Sequence, residues 1–176
     1  TPNRSRGVRI TVSTSCFVPK SHTPFQWEAQ NTQEEYLRKV TLLREHMRNK
    51  SITYNWHDPE TSYLEAVLSR GDRRIADVIE EAWRHGAKFD SWSEYFNLQT
   101  WLTAMETCGV SPAFYANRVR EKDEILPWHV ISDGVKESYL WRERETAYAG
   151  KITPDCKVKC SGCGADKLCK GGICHG

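Results

Sequence analysis

The sequence has no apolar run close to the ~20 residues that a transmembrane helix requires. It also lacks a signal-peptide pattern, an internal repeat and a low-complexity stretch. Charge of one sign is not in excess, because the net charge of +2 is too small to indicate a nucleic-acid-binding protein by itself. Hydrophobic residues make up 39% and charged residues 27%, a balance typical of soluble globular proteins. We therefore expect a cytoplasmic protein that does not bind membranes.

Cysteine is scarce through most of the chain and concentrated at its end. Only Cys16 and Cys108 precede residue 155, and we expect both to be small buried side chains. A disulfide framework distributes its cysteines through the fold, so the clustering and the odd total of seven argue against one. Thiols gathered around a C-x-x-C-G turn favour a metal, because glycines let the backbone fold back until several sulfurs face one point. Disulfides, or a tail that binds nothing, are the alternatives.

The cysteine-rich tail is predicted to bind zinc or an iron–sulfur cluster. Cys156, Cys160 and Cys163 are three of the predicted ligands. Four thiolates complete a tetrahedral shell around zinc, but sets of four cysteines also hold iron–sulfur clusters. Spacing alone does not decide whether Cys169 or Cys174 is the fourth ligand.

The front of the chain has the pattern of a βαβ unit. Residues 8–18 and 51–56 are rich in β-branched and aromatic side chains, which predicts two strands. Between them, Thr32 and Glu35 form a capping box that predicts the start of a helix. Residues 19–27 are an irregular loop with two prolines. Strand, helix and strand in this order predict a parallel pair with a right-handed crossover.

The rest of the chain is predicted to be helical, so the fold class is α/β and mostly α. Asp58 and Pro59 predict one helix start, the pair Ser91 and Glu94 predicts another, and residues 135–148 predict a last helix. The charged residues between positions 70 and 74 are expected to form a solvated face or a contact with another part of the protein, and phosphate binding is the alternative.

Several segments together resemble one group of radical S-adenosylmethionine proteins, in which a cobalamin-binding-type region often precedes the barrel. The first two are FVPKSHTPFQW at residues 17–27 and WHDPE at residues 56–60. The others are LEAVLSRGDRR at 64–74, GAKFD at 86–90, FYAN at 114–117, LPW at 126–128 and CSGCG at 160–164. The resemblance covers nearly the whole chain.

The resemblance implies that residues 1–60 close a partial (βα) barrel, that residues 61–150 are a helical extension and that residues 151–176 are a metal-binding tail. Because active sites of barrels lie at the carboxyl ends of the strands, four residues near those ends become candidates for cofactor or substrate contacts. These residues are Phe17, His22, Thr23 and His57. The resemblance also favours Cys174 over Cys169 as the fourth metal ligand. A structural role is the alternative for each loop residue, since Thr and His commonly support turns and His57 lies beside a helix cap.

Radical S-adenosylmethionine enzymes use a [4Fe–4S] cluster on a C-x-x-x-C-x-x-C loop after the first barrel strand. The same spacing occurs here at residues 156–163, at the opposite end of the chain, so the resemblance implies an accessory site there. Together with a start at Thr1 rather than Met, this leads us to expect a fragment. We expect S-adenosylmethionine and the catalytic cluster to belong to the intact parent protein, and the fragment alone to be inactive.

A binding module is the alternative function. In that interpretation a helical domain with a zinc knuckle contacts RNA or a protein partner, and lysines between the tail cysteines contact phosphates. In the radical S-adenosylmethionine interpretation, the partner is the missing N-terminal barrel portion. The substrate is a small molecule or RNA that the sequence does not identify. Unpaired strand edges also make self-association an expectation.

Overall fold

The computed structural model describes residues 7–165, which form two strands and six helices. The strands are β1 (Ile10–Thr14) and β2 (Ile52–Trp56), with helix α1 (Gln33–His46) between them. The later helices are α2 (Pro59–Arg70), α3 (Ile75–Arg84), α4 (Leu98–Thr107), α5 (Pro112–Ala116) and α6 (Glu137–Tyr148). The fold is therefore α/β and mostly helical, as predicted. None of the helices in residues 7–165 has the length and apolar character needed to cross a membrane.

The predicted order of strand, helix and parallel strand is confirmed, but β1 covers only Ile10–Thr14 of the predicted residues 8–18. The two strands pair in parallel, with a register that runs from Ile10 opposite Ile52 to Thr14 opposite Trp56. The Thr32 hydroxyl caps α1 by accepting a hydrogen bond from the Glu35 backbone N–H at 3.3 Å. The crossover helix thus begins where the capping box predicted.

One face of the sheet is half-buried and the other is exposed. The half-buried residues are Val12 and Thr14 in β1 and Ile52 and Tyr54 in β2. Along each strand the residues are either exposed or half-buried, and none is buried. Ile10 is 50% exposed and Trp56 is 40% exposed. Parallel sheets are normally covered on both faces, because every strand has apolar side chains on both sides. Within residues 7–165 this pair of strands is therefore an incomplete sheet.

Two helix starts illustrate where capping patterns succeed and fail. The Asp58 carboxylate accepts a hydrogen bond from the Thr61 backbone N–H at 2.8 Å, as the sequence predicted for α2. The start predicted at Ser91 is wrong, since residues 91–95 form turns and α4 begins at Leu98. The Asn97 side-chain oxygen caps α4 by accepting hydrogen bonds from the backbone N–H groups of Gln99 at 2.9 Å and Thr100 at 3.4 Å. One acceptor thereby satisfies two free donors of the first turn.

Helices α2 to α5 enclose the larger core, which is centred on Val67, Val78 and Met105. A second core joins the loop after β1 to the last helix. Its buried side chains are Trp27, Leu126, Trp128 and Leu140. The loop that carries three of the predicted site residues is thus held by residues about a hundred positions further along the chain.

Arg70 corrects the prediction of a solvated charged face. Its side chain is fully buried, and its Nε donates a hydrogen bond to the Tyr115 carbonyl at 2.9 Å. Its Nη1 donates to the Gln26 carbonyl at 3.4 Å, while its own carbonyl accepts from Arg120 Nη2 at 2.9 Å. Burial lowers the pKa of Arg70 to about 10, and the neighbouring Arg120 charge adds to this decrease. Arg70 lies three residues after buried Val67, so it shares the inner face of α2.

Candidate functional site

The structure does not gather the four predicted loop residues around one cavity, since Phe17 and His22 border different ones. Phe17 is half-exposed and packs edge-on against Phe25, with ring centroids 6.1 Å apart. Phe25 in turn packs edge-on against Tyr148 of α6, and the three rings border a groove of about 400 Å³. Phe17 therefore borders a groove beside α6, and not the cleft that His22 borders.

Thr23 and His57 each donate a hydrogen bond to a backbone carbonyl. The Thr23 hydroxyl donates to the Lys20 carbonyl at 2.8 Å, which closes the turn after Pro19. The His57 backbone N–H donates to the Thr14 carbonyl at 3.0 Å and so extends the strand pairing by one residue. His57 itself is an exposed residue. The Thr23 hydroxyl thus supports a turn, whereas the role predicted for the His57 side chain stays a prediction.

Sequence reasoning missed a polar cluster at the carboxyl ends of the strands. The Tyr36 hydroxyl donates to the His57 carbonyl at 3.1 Å, and the Thr14 and Tyr54 hydroxyls lie 2.8 Å apart. Burial raises the pKa of Tyr36 to about 12, and the nearby Cys16 adds to the increase. Cys16 and Cys108, both expected to be buried, are half-buried. Tyr36 is on α1 and Cys16 follows β1, so their positions in the sequence gave no local signal that they would meet.

His22 borders a cleft of about 350 Å³ that separates the loop after β1 from residues 128–140. Its backbone is in the left-handed region, with φ of 56°, which is uncommon for a residue with a Cβ atom. The His22 backbone N–H donates to Gln26 Oε1 at 2.9 Å. The same oxygen accepts from the Trp128 indole N–H at 2.7 Å. One buried amide therefore holds the two sides of the cleft together.

Two imidazoles and two carboxylates face this cleft as separate pairs. His22 Nδ1 lies 3.7 Å from Asp133 Oδ2, beyond hydrogen-bond distance. His129 Nε2 lies 3.0 Å from Glu137 Oε2, and its Nδ1 is 3.3 Å from the Leu126 backbone N–H. Because Nδ1 accepts that hydrogen bond, Nε2 carries the proton in the neutral ring. The ten residues that border the cleft include no lysine or arginine.

The first part of the cysteine-rich tail is docked on the start of α6. The Lys136 backbone N–H donates to the Cys163 carbonyl at 2.8 Å, and Arg142 Nη2 donates to the Ser161 carbonyl at 2.5 Å. Gly164 is buried with φ of 98°, and a Cβ atom there would lie 2.9 Å from Lys136 Cγ. Gly164, the last residue of the C-x-x-C-G turn, is thus required both by its backbone conformation and by its close packing.

The predicted ligands are only partly within the described residues. Cys156 and Cys160 are exposed, and Cys163 is half-buried. Cys169 and Cys174 lie outside the described residues. Within residues 7–165 no three His, Cys, Asp or Glu side chains are arranged so that they could hold a metal ion. The four-thiol site therefore stays a prediction.

The described residues offer two chemically distinct regions. One is the hydroxyl and thiol cluster at the strand ends, and the other is the cleft with its paired imidazoles and carboxylates. Both lie beside the loop that follows β1, which is the position that parallel α/β folds use for binding. Comparison of the chain with protein-family models, with curated proteins and with solved structures found no match.

Proposed function

We propose that this chain is part of a radical S-adenosylmethionine protein of unknown substrate. In this proposal β1 and β2 are closing strands of a partial (βα) barrel, and α2 to α6 form a helical extension that supports the barrel mouth. The observation that carries the proposal is the parallel β1–β2 pair, which has one exposed face and no buried strand residue. The motif resemblance supplies the family.

The incompletely covered sheet supports a partner that adds strands and helices. Apolar residues at exposed strand positions, such as Ile10 and Trp56, are stabilised when further strands and helices cover them. A preceding barrel portion would supply both the neighbouring strands and the covering helices. The loop after β1 and the cluster around Tyr36 would then lie at the mouth of the completed barrel.

The thiols within the described residues do not fit a catalytic cluster. Cys156, Cys160 and Cys163 have the required spacing, but they follow α6 and not the first strand of a barrel. We therefore assign no step of cluster or S-adenosylmethionine chemistry to residues of this chain. In the proposal these cofactors are held by the preceding barrel portion.

The test compares this 176-residue chain with the longer protein encoded by the same reading frame. Both are reconstituted anaerobically with iron and sulfide, supplied with S-adenosylmethionine and a reductant, and assayed for 5′-deoxyadenosine by mass spectrometry. We expect product from the longer protein only, and none after its upstream C-x-x-x-C-x-x-C cysteines are replaced by alanine. A reading frame without such a loop would contradict the proposal. Binding of single-stranded RNA with a steep dependence on salt would instead support the binding module.

We also propose that the tail binds one structural metal ion, with zinc favoured over an iron–sulfur cluster. Elemental analysis of protein purified with and without air should find about one zinc ion per chain. Cys163→Ser should lose the metal, and the matched variant Cys108→Ser should keep it. Cys169→Ser and Cys174→Ser will show which of the two is a ligand.

Removal of the metal should affect the tail alone. With a chelator we expect faster amide hydrogen exchange in residues 155–165, while circular dichroism of the helical body stays unchanged. Metal retained by Cys163→Ser, or a protein purified without any metal, would show that the thiols do not form the site.

A further inference from the structure

We propose that the start of α6 holds the C-x-x-C-G turn in place before a metal binds, and that Arg142 and Gly164 are positioning residues for the metal site of the tail. This inference rests on the metal site proposed above, and it adds that the affinity of that site depends on α6. Three features of the described residues support it: the return of the tail along α6, the contacts of Arg142 and the packing of Gly164.

The tail returns along the helix that precedes it. Near its beginning, the Thr153 hydroxyl donates to Glu143 Oε2 at 2.6 Å. Further along, the Cys163 carbonyl accepts from the backbone N–H of Lys136 at 2.8 Å, and Lys136 is the N-cap residue of α6. Later residues of the tail therefore contact earlier residues of the helix. The N–H of an N-cap residue has no partner inside its helix, so the Cys163 carbonyl supplies the acceptor that it needs.

Arg142 binds the backbone that leads to Cys163. Its Nη2 donates to the Ser161 carbonyl at 2.5 Å, two residues before the thiol. Its guanidinium lies 5.1 Å from the centre of the Tyr139 ring, which restricts the orientation of the side chain. A charge-assisted hydrogen bond from an oriented guanidinium fixes the position of the carbonyl. The positive charge also suits a site where several thiolates surround one ion.

Gly164 lets the turn approach the start of α6 closely. A Cβ atom at this position would lie 2.9 Å from Lys136 Cγ and 3.0 Å from the Gly134 carbonyl oxygen. Gly162 of the same turn also has a positive φ, of 70°, but a Cβ atom there would meet no described atom within 4 Å. The two glycines therefore separate the effect of backbone conformation from the effect of packing against α6.

Docking of this kind does not require a metal, because both hydrogen bonds from α6 use backbone carbonyls of the tail as acceptors. Removal of the metal is therefore expected to speed amide exchange within residues 155–165 while the Lys136 amide stays protected. A docked turn also leaves less of the chain for the metal to order, so we expect docking to raise the metal affinity.

The first measurement is the affinity for Zn²⁺, in competition with a chromophoric chelator, together with the thiolate absorption of the Co²⁺-loaded protein. Arg142→Ala should weaken Zn²⁺ binding about tenfold, and Gly164→Ala should weaken it about a hundredfold. Arg142→Lys keeps the charge and a donor, so it should restore most of the affinity and the absorption. Gly162→Ala shares only the conformational effect and should cost at most about tenfold. Arg48→Ala removes the same charge from an exposed position after α1 and should change nothing.

The second measurement is NMR amide exchange of Lys136 in metal-free protein. We expect exchange to be slow in the unmodified chain and about tenfold faster in Arg142→Ala and Gly164→Ala, while circular dichroism shows that the helical body is intact. Unchanged Zn²⁺ affinity in both variants, or fast Lys136 exchange in the unmodified chain, would overturn the inference and leave the metal site standing. An unmodified chain that binds neither Zn²⁺ nor Co²⁺ would instead contradict the metal site, and the inference with it.

Discussion

Replacing Arg70 with alanine is expected to lower the free energy of unfolding by about 3 kcal/mol, because two buried backbone carbonyls would lose their donors. These are the carbonyls of Tyr115 and Gln26, which Arg70 binds from the last residue of α2. The substitution would also leave a cavity where a fully buried side chain had been. The loss of the buried positive charge offsets part of this cost, since burial disfavours that charge. Urea unfolding followed by circular dichroism measures the change.

The matched control lies three residues away in the same charged run. Arg73 is exposed, and Arg73→Ala should change the free energy of unfolding by less than about 0.5 kcal/mol. If both variants lose the same stability, the buried hydrogen bonds of Arg70 are not what holds the loop after β1 to α2. A loss below about 0.5 kcal/mol for Arg70→Ala would lead to the same conclusion.

Gly71→Ala is expected to destabilise the protein by about 2 to 3 kcal/mol. A Cβ atom at this position would lie 2.1 Å from Ile75 Cγ1 and 3.0 Å from the Val67 carbonyl oxygen. The isoleucine atom is close to its own backbone and cannot move aside easily, and Ile75 is itself buried. The junction between α2 and α3 would therefore have to open. Thermal or urea unfolding will report the loss.

A double-mutant cycle separates this steric clash from other effects of alanine. When Ile75→Ala is already present, Gly71→Ala should cost at least about 1 kcal/mol less, because the clashing atom has been removed. Gly7→Ala is the control, since a Cβ atom there would have no neighbour within 4 Å. Additive losses in the cycle would show that the contact with Ile75 is not the cause.

Local patterns in the sequence predicted the front of the fold well. Thr32 and Asp58 are caps whose side chains bind a backbone N–H three residues later, and short-range chemistry of this kind can be recognised without the rest of the protein. The parallel pairing of β1 and β2 follows from the helix between them. The capping pattern at Ser91 did not start a helix, because the apolar face of the helix begins several residues after it. In α4 that face begins at Leu98.

The candidate cleft could not be predicted from the sequence. His22 was a candidate because it follows a strand, but nothing near it indicated Asp133 or the Glu137–His129 pair. Thr23, predicted with it, turned out to bind a carbonyl three residues before it. Adjacent positions in a loop point in different directions, so spacing alone does not separate a residue that faces a cleft from one that supports a turn.

The sequence by itself determined the class of the fold, the order of its strands and most helix starts, because propensity, capping and hydrophobic spacing act between residues a few positions apart. Only the tertiary structure decided that Arg70 is buried and that Gln26 meets Trp128, which is 102 positions away. Contacts of this kind depend on how whole elements pack around a shared core. A long charged or polar side chain becomes buried when distant backbone groups happen to satisfy its hydrogen bonds, and no local pattern records where those groups will be.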